Sequence, residues 1–86
     1  MPTVAWVVGF AILFYYDDHG EPHFHIRGKG TVAKIMLADL SVADVKGELP
    51  ARELRAIRNW ARGHLPELYR AWSQARAQRP IDGIGD

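Results

Sequence analysis

The chain has 86 residues, a formal net charge of +1, 48% hydrophobic and 24% charged residues, and no cysteine. That is the length of one domain, able to bury roughly 60–65% of the surface its unfolded form exposes. Disulfide scaffolding, thiolate nucleophiles and thiolate metal sites are excluded, and with so small a net charge any affinity for nucleic acid must come from where the cations sit.

The apolar run from Val4 to Tyr16 is thirteen residues long and has no basic segment before it. A spanning helix needs ~20 residues, so the run reads as two buried strands and not as a membrane span. Thr3 to Val8 is β-branched or aromatic, Gly9 interrupts, and Phe10 to Tyr16 resumes, with Phe10, Ile12, Phe14 and Tyr16 on one face and Ala11, Leu13 and Tyr15 on the other. This pattern predicts a hairpin. Asp17 to Pro22 contains two Asp, a Gly and a Pro and reads as a loop. His23 to Arg27 then alternates, with Phe24 and Ile26 toward the core and His23, His25 and Arg27 opposite. After a turn at Gly28-Lys29-Gly30, Thr31 to Leu37 forms a fourth strand with Ala33, Ile35 and Leu37 on one face. Ser41 to Lys46 is a weaker fifth.

From Pro50 onward Ala, Leu, Arg and Glu dominate, and Pro suits a first helical turn because its missing N–H would be unpaired there. Leu54, Ile57, Ala61, Leu65, Leu68, Trp72 and Ala75 recur at spacings of three and four, one apolar stripe at about 100° per residue. Gly63 and Pro66 predict a kink or break, with the Pro removing one backbone hydrogen bond. The reading is an α+β fold: an antiparallel sheet of four or five strands packed by a C-terminal kinked helix or helix pair. It occupies residues 1–78 as one domain, with an extended tail over 79–86. Trp60 and Tyr69 fall at the edge of the core. Ile81 and Ile84 in the tail either fold back or dock into a partner, another protein or a second copy.

His19, His23 and His25 lie within seven residues. On a strand, His23 and His25 share a face about 6.5–7 Å apart. They are two candidate ligands for Zn or another divalent ion, with His19, or a carboxylate from Asp17, Asp18 or Glu21, as the third and water as a fourth. The alternative is a pair of half-exposed histidines hydrogen-bonded to loop carboxylates. A ribonuclease acid–base pair with Arg27 or Lys29 holding phosphate is a third reading. No Ser-His-Asp order, phosphate-binding loop or dinucleotide glycine pattern supports another reaction class, and the balance is against an enzyme.

Arg52, Arg55, Arg58 and Arg62 fall within about 120° of helical arc beside the apolar stripe. Arg55, Arg58 and Arg62 have no acid three or four positions away, so the row forms a basic ridge for phosphate or an acidic protein. Lys29 and Lys34 would extend it if the fold places them beside the helix.

The Met1-Pro2-Thr3-Val4 start, Gly9-Phe10, Phe14-Tyr15-Tyr16, the segment His19-Gly20-Glu21-Pro22-His23-Phe24-His25, and Trp60-Ala61, His64, Glu67-Leu68 and Trp72 together resemble the bacterial domain-of-unknown-function family four-one-six-zero. Glu21 stands where a second Pro is common, and Pro66 interrupts what usually reads as continuous helix. The resemblance implies a small cytoplasmic protein of toxin–antitoxin-like arrangements that binds a cognate small protein, with nucleic acid as a further partner. It implies no established activity, and it carries His19, Pro22, His23 and His25 over as a hallmark without an agreed role. The expected function is therefore an interaction module using His19, His23, His25, Arg27 and the arginine ridge, with divalent-metal binding as the alternative.

Overall fold

The computed structural model describes residues 3–85; Met1 and Pro2 of the family resemblance and Asp86 of the tail lie outside the described residues. Five strands, β1 (Thr3–Val7), β2 (Phe10–Leu13), β3 (His23–Gly28), β4 (Thr31–Met36) and β5 (Val42–Lys46), pair antiparallel in sequential order. Helices α1 (Ala51–Arg62) and α2 (Leu65–Arg76) follow. The fold is α+β, and the weak fifth strand forms.

Two tight turns set the register. Val8 and Gly9 have φ of 45° and 86° between the paired Val7 and Phe10, and Lys29 and Gly30 have φ of 54° and 76° between Gly28 and Thr31. Two successive positive φ values in a two-residue loop match the right-handed twist of the flanking strands. With register set, alternation decides the faces: Phe10, Ile12, Phe24, Ile26, Ala33 and Ile35 are buried together with Ile57, Ala61, Leu68, Ala71 and Ala75 of the helices. The helices therefore cover one face of the sheet, and the face carrying Trp6, Ala11, His25, Arg27 and Lys34 is the other.

Two details, the end of β2 and the effect of Pro66, differ from the sequence reading; the expected break near Gly63 forms, and the tail takes one of its two alternatives. Strand β2 ends at Leu13 and not at Tyr16, because the Tyr15 N–H bonds the Asp18 carboxylate instead of a neighbouring strand. The helix breaks at Gly63-His64, and Pro66 lies in the first turn of α2. There the backbone N–H groups have no intrahelical acceptor, so the Pro removes no helical hydrogen bond. The stripe continues across the break because the Gly63 and His64 N–H groups still bond back to the Trp60 and Ala61 carbonyls. The tail is extended but not detached: Ile81 and Ile84 pack against the core, and the Ile84 N–H donates to the Val4 carbonyl at 2.8 Å.

Val8 is a β-branched residue held at positive φ and 45% exposed, so it contributes strain and little burial. Val8→Asn should raise stability by about 1 kcal/mol, seen as a rise of roughly 4–8 °C in melting temperature; a lower melting temperature would show that the turn is not strained.

Candidate functional site

The loop between β2 and β3 closes on itself through Asp18. Its backbone N–H donates to the Tyr15 carbonyl at 3.1 Å, and its Oδ2 accepts the Tyr15 N–H at 3.0 Å. One carboxylate oxygen is thus committed to holding the loop. The other, Oδ1, points at the start of β3, where it accepts a hydrogen bond from His25 Nε2 at 3.1 Å and lies 3.4 Å from His23 Nε2. The two imidazole rings are edge-on at 5.0 Å between centroids, so the shared strand face does bring His23 and His25 together.

Their surroundings are unequal. His25 stays partly open, edge-on to Tyr15 at 4.5 Å. His23 is not half-exposed, as the alternative of two carboxylate-bonded strand histidines requires, but 3% exposed. It lies at the end of the strand, where Trp72 of α2 reaches across with its ring 4.8 Å away. The helical stripe placed Trp72 in the core; nothing in the spacing told that it would also roof a histidine.

His23 Nδ1 is 2.8 Å from the Glu21 carbonyl. A carbonyl only accepts, so Nδ1 carries the proton, and in neutral imidazole Nε2 keeps its lone pair. That lone pair faces a carboxylate oxygen. Two electron-rich atoms at this distance repel unless a positive centre, a proton or a metal ion, sits between them. Asp18, His23 and His25 each offer one ligand atom, all within 4.8 Å of one another. Around an ion with bonds of about 2.0–2.1 Å, neighbouring tetrahedral ligands are about 3.3 Å apart, close to the two distances measured from Asp18 Oδ1.

Burial alone would push the Asp18 carboxyl up, but the Tyr15 N–H, the His25 hydrogen bond and the charges of His25 and His23 outweigh it and hold the group below the usual carboxylate value. His25 is pushed down by burial, with His23 and Lys34 adding to the fall, and the pull of Asp18 in the other direction does not cancel it. Both shifts favour the metal-binding forms, carboxylate and neutral imidazole.

The remaining expected residues are dispersed. His19 is exposed and lies outside the group; Asp18 stands in the third position, because only its side chain is turned inward by the Tyr15 hydrogen bond. Arg27 is exposed on the sheet, its guanidinium 3.5 Å from the Tyr15 hydroxyl. On α1, Arg52 and Arg55 are exposed. Arg58, by contrast, donates to the Leu40 carbonyl at 2.8 Å, and Arg62 to Asn59 Oδ1 at 2.7 Å. Lys29 does lie beside the helix, but it is ion-paired with Glu53 there. The expected ridge is thus partly engaged in the protein's own structure.

The five-stranded sheet with two helices defines a small α+β protein, and its two-histidine, one-carboxylate cluster could hold a metal ion. The model of the family described as Domain of unknown function (DUF4160) matches residues 9–73, and the chain belongs to that family. No curated protein and no solved structure matches the chain. No helix among the described residues is long and apolar enough to cross a membrane.

The protein should lose stability on acidification. His25 is held below its ordinary value of 6.5 in the folded state, so the unfolded chain binds the proton more readily and stability falls as pH drops through that region. The depressed Asp18 adds a second fall of the same sign below its ordinary 3.8. Thermal melts between about pH 7.5 and 5 check the first fall. His25→Gln should flatten it, and an unflattened profile would assign the proton elsewhere.

Proposed function

We propose that the protein is a divalent-metal-binding module, with Asp18 Oδ1, His23 Nε2 and His25 Nε2 as the ligands. The observation that carries this reading is the His23 ring: its Nδ1–H is used on a backbone carbonyl, and its Nε2 faces a carboxylate oxygen. A carbonyl that accepts the distal N–H fixes the tautomer and aims the lone pair, as second-shell partners of metal-bound histidines do. His25 would carry its proton on Nδ1 once Nε2 binds.

Two imidazoles and one carboxylate without thiolate suit Zn or another first-row divalent ion over Mg or Ca, which prefer all-oxygen shells. Three protein ligands leave at least one position for water or an exogenous donor, which distinguishes such a set from a closed four-ligand structural site. Access would come from the side of His25, which is 22% exposed while Trp72 closes the side of His23.

Chelator-stripped protein titrated with Zn should bind one ion per chain, and at about 100-fold excess over Kd its melting temperature should rise by roughly 10 °C or more. Asp18→Asn and His25→Ala should each weaken binding at least tenfold, while His19→Ala leaves it unchanged. Absence of binding to Zn, Co, Ni and Mn would end the proposal.

A second reading follows the family resemblance, in which α1 docks an acidic cognate small protein. It is supported by Arg52 and Arg55, both exposed and without an ion pair or hydrogen bond among the described residues. Reversing both charges should abolish capture of an acidic model protein at low salt, and unchanged capture would remove the ridge.

A further inference from the structure

The sheet face opposite the helices carries a second set of charged and aromatic groups, Arg27 among them with its contact to the Tyr15 hydroxyl. Cross-strand register aligns Trp6 with Ala11, Ala11 with Arg27, Arg27 with Val32 and Val32 with Lys46, one row running through all five strands. At 4.7–4.9 Å per strand the row is about 19 Å wide, with Arg27 and Lys46 about 10 Å apart. The neighbouring row places Lys34 between His25 and Asp44.

Three cations thus stand among the described residues of this face, with Asp44 in the neighbouring row and the Asp18 carboxylate at its edge on His25. Lys34 and Lys46 make no ion pair or hydrogen bond among the described residues, in contrast to Lys29 with Glu53. At the far end of the row Trp6 is 69% exposed, the most exposed large hydrophobic side chain among the described residues. The surface is grooved and not flat: a hollow of about 450 Å³ lies between Tyr15, Arg27 and Lys46, and another of about 410 Å³ lies between Trp6, Leu13 and Arg27. Ala11, the small residue in the row, leaves the depth between the indole and the guanidinium.

From this arrangement we infer that the open sheet face binds single-stranded nucleic acid, with phosphates on Arg27, Lys34 and Lys46 and a base stacked on Trp6. Charge complementarity selects a polyanion. The exposed indole in line with the cations selects one whose π-faces are free, as unpaired bases are and the bases of a duplex are not. A sheet face also does not enter the major groove of a duplex as a helix or a two-stranded ribbon does. An acidic polypeptide would satisfy the cations but leave Trp6 unused. The inference does not rest on the metal reading, since none of the three cations or Trp6 belongs to the ligand set.

The test is fluorescence anisotropy of a labelled mixed-sequence single-stranded oligonucleotide with the full chain, in chelator and at about 50 mM salt, where phosphate contacts are strong. Lys34→Glu with Lys46→Glu should weaken binding at least tenfold and reduce the slope of log K against log salt by about 1.4, at ~0.7 per lost contact. Trp6→Ala should weaken binding about tenfold with the slope unchanged, because stacking releases no counterions. Arg52→Glu with Arg55→Glu, on the helix side, should bind like wild type. Circular dichroism confirms that each variant is folded. The inference is overturned if wild type does not bind, if a duplex binds as tightly, if the folded lysine variant binds normally, or if binding follows the α1 arginines. Because chelator is present throughout, these outcomes leave the metal proposal to its own titration.

Discussion

Strand β3 lies in the middle of the sheet, hydrogen-bonded to β2 on one side and β4 on the other. Its alternation sends Phe24 and Ile26 into the helix-covered core and His25 and Arg27 to the opposite face. A slip of one residue would exchange the two sets and place imidazole and guanidinium where two fully buried apolar side chains now sit. The Lys29-Gly30 turn, with paired positive φ, sets the register of β3 against β4, as the Val8-Gly9 turn does for β1 against β2. The site and the open face are therefore consequences of the same constraint that builds the core.

Asp18 links this frame to the chemistry. Because one of its oxygens is fixed by the Tyr15 N–H, the other has a defined direction, and the two histidines meet a charge that is already oriented. Trp72 closes the opposite side, so the buried imidazole is held between a carboxylate, a carbonyl and an indole. The groups of this cluster are already ordered, which lowers the entropic cost of holding a cation there.

The Asp18-His23-His25 cluster and the cationic sheet face are adjacent but separate. His25 belongs to the first and borders the hollow of the second, and Lys34, its cross-strand partner, contributes to lowering its affinity for a proton. On α1 the charges are arranged differently: Arg58 ties the helix to the β4–β5 connection at Leu40, a structural use that a helical wheel does not reveal.

Local periodicity determined much of this protein. The strands at 23–27 and 31–36, the helical stripe from Leu54 to Ala75 and the break near Gly63 all depend on near neighbours and are found where the pattern put them, whereas the strand expected over residues 10–16 ends at Leu13. The pairing of His23 with His25 was legible for the same reason. What the sequence could not decide was which of several loop groups would face them. Asp17, Asp18, His19 and Glu21 are equivalent candidates by type, and the choice of Asp18 came from a turn closed by a backbone N–H. The burial of His23 came from a tryptophan forty-nine positions away in the chain, and the engagement of Arg58 and Lys29 from contacts across elements. These were decided by the tertiary structure because side-chain partners distant in sequence meet only after the sheet and helices have packed.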